Sequence, residues 1–198
     1  MRNYIFSAAA MSIALVSSMH DARAEADNLR TIVRMHMDFG GDTVSPATLQ
    51  FSNGEAIELK AGQLATFVAG ALYQPTDKNF SVEGTLGYKF DQVNGTNGSA
   101  KMTRLPLDVL ANYMRGGNRF GGGITYHLNP QFTCDVCGRG ADIKFDNALG
   151  FLMQYAYGLQ IPGSWMLDVG LRYTAISYKA TTRTATGNSV GFFFGTAF

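Results

Sequence analysis

Apolar and polar residues alternate one by one along most of this chain. Between Thr31 and Gly40, Val33, Met35, Met37 and Phe39 share one parity, while Arg34, His36 and Asp38 share the other. From Phe80 to Asp91, Phe80, Val82, Leu86, Tyr88 and Phe90 alternate with Ser81, Glu83, Thr85, Lys89 and Asp91. From Met102 to Met114, Leu105, Leu107, Val109 and Tyr113 alternate with Arg104, Asp108 and Asn112. From Arg119 to Asn129, Phe120, Ile124, Tyr126 and Leu128 alternate with Arg119, Thr125, His127 and Asn129. The rhythm returns in Leu149–Gln160, Trp165–Tyr178 and Val190–Phe198. Successive side chains of a strand point to opposite faces, so a period of two predicts half-buried strands. The apolar residues miss the helical i, i+3, i+4 spacing, and Gly121-Gly122-Gly123 would make a poor helix. Leu64–Tyr73 is the eighth strand, with both parities mostly apolar and its faces unassigned.

The connections alternate too. Gln74–Asn79, Gly116–Asn118 and Ile161–Ser164 read as tight turns, whereas Gly41–Gly62, Gln92–Ala100, Pro130–Asn147 and Thr181–Gly187 read as longer loops. Short turns at one end and long loops at the other are the layout of an antiparallel up-and-down transmembrane β-barrel. The Gly41–Gly62 segment is expected to carry its own hairpin, turning at Ser52-Asn53-Gly54-Glu55. Pro106 falls within a strand, where it removes a ladder donor, so a bulge is expected there.

Eight strands suit either a soluble cup with apolar residues inside or a membrane barrel with apolar residues outside. Ring placement separates the two. Tyr73, Phe80, Tyr113, Phe120, Tyr157, Trp165 and Phe198 fall beside the short turns or the terminus, and Phe39, Phe90, Tyr126, Phe151 and Tyr173 fall toward the other end. Two aromatic belts are what two membrane interfaces favour. The opposite face carries Arg34, His36, Asp38, Glu83, Lys89, Arg104, Asp108, Arg119, His127, Asp168 and Arg172. These groups would be costly against lipid, but they can pair across a narrow lumen. Met102, Leu110, Leu152 and Ile176 join them at inward positions.

Composition and charge narrow the picture further. Of 198 residues, 46% are hydrophobic and only 16% charged, which argues against disorder. Sixteen basic and fifteen acidic residues leave a formal net charge of +1, so no basic field is available for nucleic acid. Residues 1–24 read as a cleaved secretory signal: Arg2, an apolar run from Tyr4 to Val16, then Ala22-Arg23-Ala24. The mature chain, 25–198, is then a single barrel domain with no second domain or linker.

Val190, Phe192, Phe194, Thr196 and Phe198 share one face of the last strand. In this the chain resembles outer-membrane β-barrel proteins, whose terminal aromatic strand is read by the barrel-assembly machinery. The resemblance implies that Phe192, Phe194 and Phe198 form an assembly signal. By size it is similar to the eight-stranded group of the OmpA transmembrane domain and OmpW-like proteins. Arg104-Leu105-Pro106-Leu107 and Gly121–Pro130 look like segments of small outer-membrane barrels. The resemblance implies a monomer in the bacterial outer membrane, with membrane lipid and lipopolysaccharide as its surroundings.

Little in the sequence points to reaction chemistry. Cys134 and Cys137, the only two cysteines, are expected to form a short-range disulfide in an exported chain. A zinc site would need two further ligands at metal spacing, and none is present. His36 and His127 fall on the polar face, where a lumenal hydrogen bond or ion pair is the expected role. Lipid-modifying barrel enzymes place a serine two residues after the histidine; here Leu128 and Asn129 follow His127. A partner from another strand, Ser81 or Ser177, stays open. The expectation is a non-enzymatic structural or binding barrel without cofactor, its polar lumen largely plugged. The alternative is a narrow passage for small hydrophobic molecules, as OmpW-like proteins would suggest.

Overall fold

The alternating strands close on themselves. In the computed structural model, which describes residues 28–44, 49–50, 56–57, 59–75, 79–95, 98–135, 142–160, 166–181 and 183–198, eight strands form one antiparallel barrel. They are β1 (Leu29–Gly40), β2 (Leu64–Tyr73), β3 (Phe80–Gly95), β4 (Gly98–Arg115), β5 (Asn118–Cys134), β6 (Ala148–Gln160), β7 (Met166–Ala180) and β8 (Ser189–Ala197). Each pairs with its sequence neighbours, and β8 returns to β1 from Ile32↔Ala197 to Gly40↔Ser189. Beyond that ladder, Thr31 N donates to Phe198 O (2.7 Å) and Phe198 N to Thr31 O (3.0 Å). No barrel edge is left open, which removes the unpaired groups that lipid could not satisfy.

The apolar parity faces outward. Leu86, Val109, Ile124, Met153, Leu171 and Val190 are exposed, while Arg34, Glu83, Arg104, Asp108 and Asp168 are buried inside. β2, whose faces the sequence left unassigned, turns Phe67, Ala69, Ala71 and Tyr73 outward and Thr66, Val68 and Leu72 inward. Tyr73, Phe80, Tyr113, Phe120 and Tyr157 lie exposed toward the short-turn end, and Phe39, Tyr126, Phe151 and Tyr173 toward the other. Phe90 is only half exposed. Trp165 and residues 1–24, where the sequence leads one to expect a signal, lie outside the described residues.

Three sequence expectations need correction. The first concerns loops. Gln92–Ala100 is strand, not loop: β3 and β4 pair out to Gly95↔Gly98, leaving only residues 96–97 between them. β5 likewise runs to Cys134 and takes Ile143–Lys144 as a short partner, while Arg183–Thr186 folds back on Ser177–Ala180. Past the membrane, water can meet both faces of a ribbon, so the two-fold hydrophobic signal fades while backbone pairing continues. The expected hairpin within 41–62 is present as Leu49–Gln50 paired with Ala56–Ile57; its turn residues lie outside the described set.

The second concerns Asn129, which faces outward instead of joining the polar face. Between Thr103 and Leu105 the β4–β5 register slips, from Thr103↔Gln131 to Leu105↔Leu128, so β5 carries one extra residue. Asn129 sits in that bulge with φ +48°, and its N–H donates to Asn147 Oδ1 at 2.9 Å. A bulge reverses the parity beyond it. Pro106 itself keeps register with His127 and is accommodated on its other side, where the β3–β4 ladder skips from Leu86↔Leu107 to Lys89↔Arg104. The third is Phe198, which is buried at 8% exposure and does not share the outward face of Phe192 and Phe194.

The triple glycine on β5 shows how tightly the wall is packed. A Cβ at Gly123 would stand 2.0 Å from Val109 O, and one at Gly121 would stand 2.2 Å from Asn112 Oδ1. A Cβ at Gly122, which faces outward, would meet nothing closer than Leu152 O at 4.0 Å. Gly123→Ala is therefore expected to destabilise the barrel by about 3 kcal/mol through forced overpacking, and Gly122→Ala to be nearly neutral. Unfolding midpoints in detergent check both; equal midpoints for the two variants would refute the packing argument.

Candidate functional site

The lumen is the candidate site, and the period of two builds it. Every second residue of each strand points inward, so eight strands deliver ionisable groups from distant parts of the chain into one narrow space. At the short-turn end, Ile32, Leu72, Met166 and Ala197 form a small apolar floor. Above it lies a four-residue ion cluster. Arg34 Nη1 donates to Glu83 Oε1, Arg34 Nη2 to Asp168 Oδ2 at 2.9 Å, and Arg119 Nη2 to the same oxygen at 2.6 Å. Asp108 Oδ2 accepts from Arg172 Nη2 at 2.6 Å on a separate pair.

Nearer the long-loop end, Lys89 Nζ donates to Asp38 Oδ2 at 2.7 Å and also to the Gly62 carbonyl at 3.1 Å. Arg104 Nη2 donates to Ala61 O at 2.6 Å, and its guanidinium lies 5.5 Å from the Tyr178 ring centroid. His127 Nδ1 and Tyr178 Oη share a hydrogen bond at 2.6 Å. His36 stands against Phe193, ring centroids 5.4 Å apart. His36, Asp38, Lys89, His127 and Arg172 surround a cavity of about 10 Å³, room for about one water. His36 Nε2 and Asp38 Oδ1 there have no protein partner.

Above these groups sits an apolar cap. Val44, Leu59 and Ala61, all from the β1–β2 connection, pack with Met102, Phe132, Phe145, Ile176 and Tyr178. These described residues of the connection fold into the barrel mouth, where Arg104 holds the Ala61 carbonyl and Lys89 the Gly62 carbonyl. Cys134 borders the cap and is disulfide-bonded; Cys137 lies outside the described residues.

The eleven residues marked from the sequence all lie buried inside the barrel, and all eleven take part in the contacts above: eight form ion pairs, while Arg104 meets a carbonyl, His127 a hydroxyl and His36 an aromatic ring. Asp91, the last residue of its expected strand and already on the polar parity, was not among the eleven and is buried with them. With it, the described lumen holds five cations (Arg34, Lys89, Arg104, Arg119, Arg172) and five carboxylates (Asp38, Glu83, Asp91, Asp108, Asp168), a formal balance of zero. The sequence reading also missed Tyr178, which shares its parity with Arg172 and Ile176 and so carried the needed signal. Ser177 faces the outside wall, on the opposite side from His127. Among the described residues, no group of three His, Cys, Asp or Glu is placed to hold a metal ion.

An apolar exterior around a charged, paired interior is the inside-out layout of an outer-membrane β-barrel. No protein-family model matches the chain, and no curated protein sequence matches it. Among solved structures, it is similar to Neisserial surface protein A, with 13% identity over 88% of this chain and 97% of that one and a TM-score of 0.48. It is also similar to the outer membrane protein AlkL in lipid bilayers, with 14% identity, 88% and 92% coverage, and a TM-score of 0.44. The translocator domain of the autotransporter NalP from Neisseria meningitidis matches at 22% identity over 96% of this chain and 68% of that one, TM-score 0.36.

Proposed function

We propose that this chain is a monomeric, non-enzymatic barrel of the bacterial outer membrane, structural or binding in role, with a lumen that side chains plug and loops that meet the exterior. The observation that carries this reading is the filled interior. Ion pairs span the lumen, apolar groups close both ends, and the cavity beside His36 and His127 is about 10 Å³. Buried ion pairs are poor stabilisers in themselves, since desolvation costs several kcal/mol per ion, but they fix one arrangement of the strands that carry them. The engagement of His127 with Tyr178, and the outward position of Ser177, support a non-catalytic role.

In this reading the partners are outer-membrane lipid and lipopolysaccharide around the wall, and the barrel-assembly machinery acting on β8, where Phe192 and Phe194 are exposed. Reconstitution into a planar bilayer tests the plug: the intact protein is expected to give no sustained conductance. Steady open-channel current would overturn it. The apolar cap around Phe132, Phe145 and Ile176 favours one second reading, passage of small hydrophobic molecules. Uptake of an apolar dye by vesicles, with conductance still absent, would shift the assignment to that passage.

A further inference from the structure

The barrel wall parts between β6 and β7 on its lipid side. β6 begins at Ala148 and β7 continues to Ala180, yet their ladder ends at Ile176↔Gly150. The two segments meet again only higher up, where Asp146 N donates to Lys179 O at 2.7 Å. Between these two crossings lies a cavity of about 600 Å³, open to the outside. That volume lies in the range of small-molecule sites. Ala148 and Ile176 form its floor and belong to the apolar cap behind the wall.

Its lining changes character with height. Below, Leu149, Phe151 and Met153 project in a row from β6 at 61%, 68% and 66% exposure, the highest of the exposed large apolar side chains among the described residues. Beside Leu149 and Phe151, β7 offers only the small residues Ala175 and Ser177, with Tyr173 opposite Met153 at the lower end, so an apolar trough runs up the wall to the cavity. Above, the lining is polar. Asn188 Oδ1 already accepts from Ile176 N, and Asn147 Oδ1 from Asn129 N, which leaves each amide NH₂ as a donor. Lys179 adds an ammonium and Asp146 a carboxylate, and among the described residues neither is in an ion pair.

The geometry points to a binding site for one zwitterionic glycerophospholipid on the β6–β7 wall. An acyl chain lies along Leu149, Phe151 and Met153. The phosphate meets Lys179 and the two amides, and a head-group ammonium meets Asp146. The carboxylate beside the lysine selects this head over a purely anionic one, which would set a second negative charge against Asp146. A sugar head bearing two phosphates meets the same repulsion. This site rests on the membrane-barrel reading, since the trough needs lipid at that level.

Native mass spectrometry of the full chain in maltoside micelles tests it. With phosphatidylethanolamine titrated in, one adduct per barrel is expected at a concentration at least tenfold lower than with phosphatidylglycerol or lipid A. Ser177→Trp, which fills the trough from an outward position, is expected to abolish that adduct. Asp146→Lys is expected to reverse the preference toward phosphatidylglycerol. Equal adducts in parent and Ser177→Trp would mean general annular lipid and overturn the site; a preference for lipid A would overturn the head-group assignment. Heat-dependent migration on semi-native gels keeps the two readings apart: a barrel that shifts but shows no selectivity fails only the site. A chain that is soluble without detergent and shows no shift fails the membrane reading itself.

Discussion

Asp168→Ala is expected to destabilise the folded barrel by about 3–5 kcal/mol, the cost of breaking a buried ion pair by removing one partner. Asp168 is fully buried, at 0% exposure, and its Oδ2 accepts from both Arg34 and Arg119. Without it, two guanidinium groups share the lower lumen with Glu83 as the single carboxylate of the cluster, and Arg119 has lost its ion-pair partner. The neighbouring wall cannot open to admit water freely, because Gly195 and Gly158 on either side are locked in the ladder with Asp168. Replacing Arg119 and Asp168 together by Met and Leu is expected to recover most of the loss, since an apolar pair of similar volume leaves Arg34 with Glu83. Denaturant unfolding in detergent, read by the heat-dependent gel shift, measures both. An Asp168→Ala barrel within about 1 kcal/mol of the parent would sink the claim that this carboxylate holds the cluster, as that is the size of an exposed pair.

The fold was legible where the two faces of a strand meet different media. In the waist of the barrel, lipid lies on one side and charge on the other, so Arg34, His36 and Asp38 alternate cleanly with Met35, Met37 and Phe39. The signal fails at Gln92–Ala100, where pairing continues without that contrast, and at Asn129, where a single inserted residue reverses parity. Asp91 carried the polar parity as the last residue of its expected strand, and its burial shows that the lumen continues to that level. Partners were less legible than faces. Parity says that Arg34 points inward, but its meeting with Asp168, 134 residues away, depends on how the barrel closes and how far the strands are staggered. A lumen plugged by its own side chains was legible, but the cap supplied by the β1–β2 connection was not. Val44, Leu59 and Ala61 stand in a connection without alternation, and only the closed mouth gives them something to pack against.

Excising residues 42–61 and joining Gly41 to Gly62 through an Asn-Gly turn is expected to turn a silent barrel into a conducting one. The ends are already adjacent: Gly62 N donates to Gly40 O at 3.2 Å, and a Cβ on Gly41 would stand 2.3 Å from Gly62 N. With Gly41, the Asn-Gly makes a three-residue loop that closes Gly40 on Gly62, the position continuing the Asp38↔Leu64 pairing, so the β1–β2 register stays in place. The excision removes Val44, Leu59 and Ala61 from the apolar cap, and with Ala61 goes the carbonyl that holds Arg104. Arg104, Lys89 and Asp38 then face an open mouth, and water entering there weakens pairs whose strength depends on a dry surrounding. Discrete conductance steps, at least tenfold above the parent's background at the same salt, are the expected result in a planar bilayer. Arg104→Ala alone should give brief, infrequent openings, because Lys89 still holds Gly62. If the excised barrel folds, as its heat-dependent shift will report, and stays silent, then the lower ion cluster and the apolar floor seal the lumen without help. The β1–β2 connection would then be a surface for partners rather than a stopper.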